Sequence, residues 1–178
     1  MGKSLGPMPH KKFRETGKLE LNFHKNLARP DVSKSMNFRG VNLAYNRVTS
    51  QAEYEFKDVG AHHYLALHDL VMEDGELNVE EMPTICGKDI RNTLSYMPAG
   101  RPFSGWSRTT GRQNSFTILH FDPNLLSQET EQVVLTDDHL PLIYFEDPMV
   151  LLVMKKLEAI IASSVNHSSV YVETLALL

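Results

Sequence analysis

The stretch from Leu19 to Asp122 consists of short apolar runs that alternate with polar residues and are bounded by turn residues. A period of two places the apolar side chains on one face of a strand and the polar ones on the other. In residues 53–56 the rings of Tyr54 and Phe56 fall on one face and the carboxylates of Glu53 and Glu55 on the other. The pattern therefore predicts a sandwich or barrel of antiparallel strands.

Other runs in this stretch are rich in β-forming residues, and we predict strands at Val41 to Val48, Ile90 to Tyr96 and Ser115 to Phe121. The runs 62–72 and 76–82 flank Asp74-Gly75. Asp-Gly readily adopts the positive φ angles of a two-residue turn, so we predict a tight hairpin at this point.

The segments on either side of this stretch have different patterns. Residues 1–18 combine glycines and prolines with several basic residues and show no periodicity, which predicts a flexible basic N-terminal arm. Residues 123–178 are predicted to form a helical dimerisation segment. The chain therefore divides into an arm (1–18), a β domain (19–122) and helices (123–178).

The helical prediction rests on Asp-Pro start signals at Asp122-Pro123 and Asp147-Pro148. The second signal opens a helix to about Ser163, and another helix is expected from Ser168 or Ser169. Few charges interrupt the apolar face, so we expect the helices to pack against a second subunit as well as the β domain. The candidate dimerisation residues are Val150, Val153, Leu157, Ile160, Ile161, Val172 and Leu175.

The composition limits the class of protein. The formal net charge is -4 over 178 residues, which argues against a broad nucleic-acid-binding face in this chain. Cys86 is the only cysteine, no signal sequence opens the chain, and no apolar run approaches the roughly twenty residues needed to span a bilayer. We expect a cytoplasmic protein without a membrane segment. Because the chain stops within the apolar run 175–178 without a helix stop signal, we also expect a fragment of a longer protein.

The Pro98-Ala99-Gly100 turn resembles the Pro-x-Gly turn that links two strands in cupin barrels. Cupin enzymes place a metal-binding histidine three residues after that glycine, and here this position is Phe103. His62 and His63 are adjacent and point to opposite faces of a strand, while His62 and His68 are roughly 20 Å apart along it. The sequence therefore predicts no metal and no cofactor.

Signatures of other enzyme classes are also missing from the sequence. It contains no Gly-x-Ser-x-Gly elbow and no glycine-rich phosphate loop, and the lone Cys86 is more typical of an inert side chain. We therefore predict no catalytic residues and a protein that is not an enzyme. A pocket for a small organic ligand is predicted instead, although the same side chains also suit a filled core. Its candidate lining residues are Phe103, Trp106, Phe116, Ile118 and His120.

The order of these features resembles the N-terminal region of AraC-type transcription regulators. The resemblance lies in residues 94–100, 103–107 and 115–123, continues through 145–148 into the helices, and covers roughly residues 38–178. It implies a cupin-like antiparallel β-barrel (double-stranded β-helix) that binds a small effector, followed by an α-helical pair that joins two subunits. It also implies that DNA is bound only by a helix-turn-helix half beyond residue 178.

Two other classes of protein stay open at this point. One is a cupin enzyme acting on a small molecule, with or without a metal. The other is a metabolite-binding module without a regulatory role. The sequence favours the regulator, in which the effector shifts the arm or the terminal helices.

Overall fold

The computed structural model describes residues 19–23, 30–38, 41–49, 51–58, 60, 62–122 and 139–163. They form ten strands and one helix, which we number in chain order. The elements are β1 (Glu20–Phe23), β2 (Val32–Phe38), β3 (Val41–Val48), β4 (Glu53–Asp58), β5 (His63–Asp69), β6 (Met72–Val79), β7 (Thr93–Met97), β8 (Phe103–Thr109), β9 (Asn114–Phe121), β10 (Leu142–Phe145) and α1 (Pro148–Ala162). The predicted arm (1–18), the helix start at 122–123 and the second helix from 168 fall on residues outside this set or at its edge.

The strands form two antiparallel sheets. One has four strands in the order β1-β4-β8-β6, and the other has six in the order β10-β7-β5-β9-β3-β2. From β3 to β9 the chain crosses from one sheet to the other at every step, which is the winding of a double-sheet jelly roll. The prediction of a mostly β, antiparallel domain followed by a helix is confirmed.

The closed barrel predicted from the sequence is not formed by the described strands. The strand pairs found among them lie within one sheet or the other, and none joins the two sheets. The domain is therefore held together by side-chain packing between two open sheets. The predicted helical pair is represented by α1 alone among the described residues.

The six-stranded sheet packs on both of its faces. Its strand β9 is buried along seven of its eight residues, with Phe116 and Ile118 facing the four-stranded sheet and Leu119 facing α1. A strand covered on both faces has no wet side, which explains the nearly continuous run of β-formers there. The two layers of packing form an inter-sheet core and a separate core under the helix.

Helix α1 begins and ends close to where the sequence predicts. The Asp147 carboxylate accepts hydrogen bonds from the backbone N–H groups of Met149 (2.9 Å) and Val150 (3.0 Å), and Pro148 occupies the first turn. At the other end, the Lys34 ammonium donates to the carbonyl oxygens of Ala162 (2.7 Å) and Ser163 (3.2 Å). Both ends are thus satisfied, and the second also anchors the helix to β2.

The hairpin predicted at Asp74-Gly75 is wrong. Both residues lie inside β6, beside a register shift between Met72 and Asp74, and the chain instead changes sheets at Leu70 and Val71. Gly75 serves close packing there, because a Cβ atom would lie 2.9 Å from the Trp106 carbonyl oxygen on β8. Asp-Gly at a bulge carries the same local signal as Asp-Gly in a turn.

The segment predicted to be helical also contains a strand. β10 (Leu142–Phe145) pairs with β7 at the edge of the six-stranded sheet, with Tyr144 at a φ of 51°. Four residues are too few for a periodicity to show in the sequence. Among the described residues, no helix is long and apolar enough to cross a membrane.

We expect Leu157→Ala to lower the free energy of unfolding by about 2–5 kcal/mol, because Leu157 is fully buried under the helix and truncation leaves a cavity. Leu152→Ala removes the same atoms from the exposed side of the same helix, where the residue is 50% exposed, and should change the value by less than about 0.5 kcal/mol. Urea denaturation followed by circular dichroism measures both. Equal losses in the two variants would contradict the assigned orientation of α1.

Candidate functional site

A buried carboxylate–imidazole pair crosses the space between the two sheets. His120 on β9 and Asp58 at the end of β4 are each 2% exposed, and the distance from His120 Nε2 to Asp58 Oδ2 is 2.8 Å. Since the partners belong to different sheets and are 62 residues apart in sequence, only the tertiary fold brings them together. Among the described residues, no other contact between a basic and an acidic side chain has both partners this deeply buried.

A glycine turn positions Asp58. Its Oδ1 atom accepts a hydrogen bond from the Gly60 N–H at 2.8 Å, and the Gly60 carbonyl accepts one from the Gly100 N–H at 2.8 Å. Gly60 has a φ of +69°, and a Cβ atom there would lie 2.9 Å from the backbone of Arg101. A residue with a side chain would therefore displace the turn that contains the Pro-x-Gly motif.

The pair leaves one imidazole nitrogen without a partner. With Asp58 accepting the Nε2 hydrogen, the neutral tautomer of His120 has its lone pair on Nδ1. His120 Nδ1 is buried, and within the part of the chain that the structure describes it has no hydrogen-bond partner. Buried polar atoms are nearly always paired, so this atom is the clearest unfilled acceptor in the inter-sheet core.

Aromatic rings surround the pair. The Tyr64 ring lies edge-on to the His120 ring at a centroid distance of 5.4 Å, and edge-on to the Phe103 ring at 4.8 Å. Burial, with a contribution from the Asp58 charge, raises the pKa of Tyr64, so its hydroxyl stays protonated. The site therefore combines an apolar wall with a protonated phenol and an oriented imidazole.

Four of the five predicted pocket residues come together in this inter-sheet core. Phe103, Phe116, Ile118 and His120 are all buried on the inner faces of β8 and β9. Phe103 stands at the position of the cupin metal histidine, and its ring packs against the rings of Tyr64 and Phe56. Within the described part of the chain, no group of three potential metal ligands comes together.

Trp106 is the exception, because it faces outward from the four-stranded sheet. Phe103, Ser107 and Thr109 are the buried side of β8, and Trp106 lies with Arg108 on the opposite face. Phe103 and Trp106 are three residues apart, an odd number, so their side chains point in opposite directions from an extended strand. The assignment of Trp106 to the pocket is corrected accordingly.

The candidate dimerisation residues on α1 pack against the core of their own chain. Leu157, Ile160 and Ile161 are buried in the core under the helix, and Val150 and Val153 are partly buried against the same core. Substituting Leu157 would therefore disturb folding before it disturbed an interface. Val172 and Leu175 lie outside the described residues. The exposed large hydrophobic residues of α1 are Met149 and Leu152.

A second polar cluster lies at the edge of the six-stranded sheet. The Ser95 hydroxyl oxygen accepts the Tyr144 backbone N–H at 3.3 Å, so its own hydrogen is available for His68 Nε2 at 3.0 Å. The other ring nitrogen, His68 Nδ1, is buried and has no hydrogen-bond partner among the described residues. Burial lowers the pKa of His68 to about 4, and the ring is neutral at physiological pH.

Sequence reasoning missed Asp58, Tyr64 and the Ser95 cluster. Asp58 carries no local signal, because a single carboxylate at a strand end is usually solvated. The sequence shows that Tyr64 lies on the opposite face of the strand from Leu65 and Leu67. It does not show which of these two faces points between the sheets, because that depends on how the strands pair. His63 lies on the face of β5 opposite to Tyr64, and its Nδ1 atom forms a hydrogen bond with the Tyr96 hydroxyl at 2.7 Å.

Comparison with known proteins gives a likeness in structure only. No protein-family model matches the chain, and no curated protein matches its sequence. The similar solved structures include the cupin domain of Schizosaccharomyces pombe Cnp3, with 13% identity over 66% of this chain and 77% of that one and a TM-score of 0.39. A cupin family protein with a double-stranded β-helix fold from Methanocaldococcus jannaschii has 12% identity over 66% of this chain and 99% of its own, with a TM-score of 0.40.

Oxalate decarboxylase from Bacillus subtilis is a third similar structure, at 13% identity and a TM-score of 0.41. The match covers 65% of this chain but only 31% of the enzyme. Scores at this level assign neither a family nor an activity to this chain. The jelly-roll winding rests on the strand order of the chain itself.

We expect Asp58→Ala to lower the free energy of unfolding by about 1–3 kcal/mol, because it leaves the buried N–H groups of His120 and Gly60 without their acceptor. The matched control is Asp69→Ala, which removes the partner of Arg112 at the surface, where Asp69 is 44% exposed, and should cost less than about 1 kcal/mol. Urea denaturation at pH 7 measures both. A loss at Asp58 no larger than that at Asp69 would show that the buried pair is not a structural link between the sheets.

The pKa of His68 predicts a pH dependence of stability. Between its ordinary pKa of 6.5 and its folded pKa of about 4, the unfolded chain binds a proton that the folded chain does not. His68 therefore leaves the free energy of unfolding unchanged above pH 6.5. As the pH falls from 6.5 toward 4, the free energy of unfolding decreases by about 1.4 kcal/mol per pH unit. His68→Asn should flatten the slope of stability against pH in this window, whereas His62→Asn should retain it. Denaturation titrations at half-unit pH steps test this, and identical slopes in the wild type and His68→Asn would contradict it.

Proposed function

We propose that this chain is the effector-binding and dimerisation domain of a bacterial AraC-type transcription regulator, a cytoplasmic protein and not an enzyme. The observation that carries the proposal is the order of the resembling segments along the fold. They cover β7 and its Pro-x-Gly turn, β8, β9, and the passage from β10 through the Asp147 cap into α1. These elements join the inter-sheet core to the helix, as a domain that reports ligand binding to a distant half requires.

The effector site that we propose is the inter-sheet core around His120. Its Nδ1 atom is a buried acceptor that Asp58 orients and that no group of the described residues satisfies. A ligand hydroxyl would donate to this atom while the ligand body packs against Phe103, Phe116 and Tyr64. This chemistry favours a small organic effector that carries at least one hydroxyl group.

The proposed homodimer would use the exposed side of α1. Met149 is 71% and Leu152 is 50% exposed, and residues three apart lie side by side on a helix surface. The opposite side of the same helix packs on the six-stranded sheet, whose inner face carries His120. A ligand that shifts this sheet would therefore move the helix, and with it the presentation of the DNA-binding halves beyond residue 178.

One observation favours a second candidate, a metal-free cupin enzyme. An imidazole that a buried carboxylate orients, with a free lone pair and a protonated phenol beside it, is also the arrangement of a general base with a hydrogen-bond donor. Such a site suits proton abstraction in an isomerase. The same residues carry both candidates, so turnover of the ligand separates them.

We expect a thermal-shift screen of small hydroxylated compounds to find a ligand that stabilises the wild-type protein. His120→Gln should weaken its binding by roughly tenfold, because one buried hydrogen bond is lost. The surface variant His62→Gln should bind like the wild type. Far-ultraviolet circular dichroism establishes that each variant is folded, and isothermal titration calorimetry gives the dissociation constants.

Two results would overturn the regulator. One is conversion of the ligand by the wild type but not by His120→Gln, which would establish an enzyme. The other is a coding sequence that does not continue past residue 178 into a basic double helix-turn-helix. The proposal is supported if the coding sequence continues into such a segment and the protein binds the ligand without converting it.

A further inference from the structure

The inner face of the six-stranded sheet carries three rows of side chains that run across its strands. His120 lies in the first row beside Tyr64, and His68 lies in the third row beside Phe116. The middle row contains, from β3 to β7, Ala44, Ile118, Ala66 and Ser95. Because three of these four side chains are small, the middle row rises less from the sheet than the two rows that contain the histidines.

Aromatic contacts join the first and third rows to the four-stranded sheet. In the first row, the Tyr64 ring lies 4.8 Å from that of Phe103 on β8. In the third row, the Phe116 ring is stacked on that of Tyr54 on β4, at a centroid distance of 6.4 Å. Large rings therefore connect the two sheets on either side of the middle row.

The position of β8 between these two contacts is Gly105, which has no side chain. The Phe56 ring packs directly over Gly105, where a Cβ atom would overlap it. The space between the sheets at the middle row is thus lined by small residues, Ile118 and one aromatic ring. An apolar lining with a few polar groups at its ends is typical of sites for small organic ligands.

Each row that flanks the middle row has a buried imidazole nitrogen without a partner among the described residues. These atoms are His120 Nδ1 and His68 Nδ1. The Nε2 atoms of the two rings contact Asp58 at 2.8 Å and the Ser95 hydroxyl at 3.0 Å, so both rings have a fixed orientation. The two histidines are one strand and four residue positions apart, about 14 Å between their backbones.

We propose that the effector is an elongated molecule that lies along the inner face across the middle row, with one hydroxyl group bound by His120 and a second, at its other end, bound by His68. A hydroxyl group both donates and accepts, so it suits either tautomer of the His68 ring. Among the described residues no lysine or arginine is buried, and the buried carboxylate is that of Asp58, so the site favours an uncharged ligand over an acid. This inference rests on the proposed function, to which it adds a second contact and a ligand shape.

The experiment compares 1,8-octanediol with 1-octanol, which has the same carbon chain and only one hydroxyl group. A site without a second partner would bind 1-octanol more tightly, because burial of an unpaired hydroxyl group costs free energy. We expect the wild-type full chain to bind the diol more tightly instead, by roughly threefold to tenfold, because His68 supplies the partner. Isothermal titration calorimetry gives both dissociation constants.

Three single variants locate the two contacts. His68→Leu should bind 1-octanol like the wild type and lose the preference for the diol, because only the second hydroxyl group contacts His68. His120→Gln should weaken the binding of both alcohols. The matched control is His139→Leu, because His139 also has a buried nitrogen without a partner among the described residues but contacts Tyr96 on the other face of the sheet. It should keep the wild-type preference, and far-ultraviolet circular dichroism establishes that each variant is folded.

A measurement on the wild type does not depend on how well the variants fold. In protein labelled with ¹⁵N-histidine, the diol should shift the nuclear magnetic resonance signals of Nδ1 in both His68 and His120. 1-Octanol should shift the Nδ1 signal of His120 alone.

Tighter binding of 1-octanol than of the diol by the wild type would overturn the inference. A diol preference that persists in His68→Leu, or a His68 Nδ1 signal that does not move when the diol binds, would do the same. In these cases weaker binding by His120→Gln leaves the proposed function standing. If neither alcohol binds, or if His120→Gln binds both like the wild type, the proposed site around His120 is wrong and the inference is lost with it.

Discussion

The six-stranded sheet is covered on both faces, and the positions of the site and the helix follow from this. Its inner face packs against the four-stranded sheet, and its outer face against α1. Burial on both sides removes more apolar surface from water than either layer would alone, and it is the main favourable term in the folding of the domain. Because β9 contributes to both cores, a change at His120 and a change at Leu157 act on the two faces of one sheet.

The inter-sheet core contains a buried carboxylate–imidazole pair, Asp58 and His120. Asp58 accepts hydrogen bonds from His120 and from the Gly60 N–H, but His120 Nδ1 has no hydrogen-bond partner among the described residues. A buried polar atom left without a partner costs free energy, and the proposed effector would offset this cost by donating a hydrogen bond to it. The regulator and the metal-free enzyme share this argument and differ in what happens to the ligand.

The two faces of the four-stranded sheet have opposite characters. The inner face contributes Tyr54 and Phe103 to the core, while the outer face presents carboxylates around Trp106. Antiparallel sheets commonly have one wet face, and on this one Trp106 lies against the Arg108 guanidinium. The inner face therefore belongs to the apolar core, and the outer face is mainly polar.

Much of the fold follows from local patterns in the sequence. Alternation located β4, runs of β-forming residues located β3 and β9, and the Asp147-Pro148 signal located α1, because these signals depend on residues close in sequence. Asp74-Gly75 was assigned wrongly because its local signal fits a bulge as well as a turn. The sequence by itself determined the antiparallel β class, the helix and the aromatic character of the interior. Only the tertiary structure decided that Asp58 meets His120, that Trp106 faces outward and that Leu157 is internal, because these depend on how strands distant in sequence pair and which face each sheet turns inward.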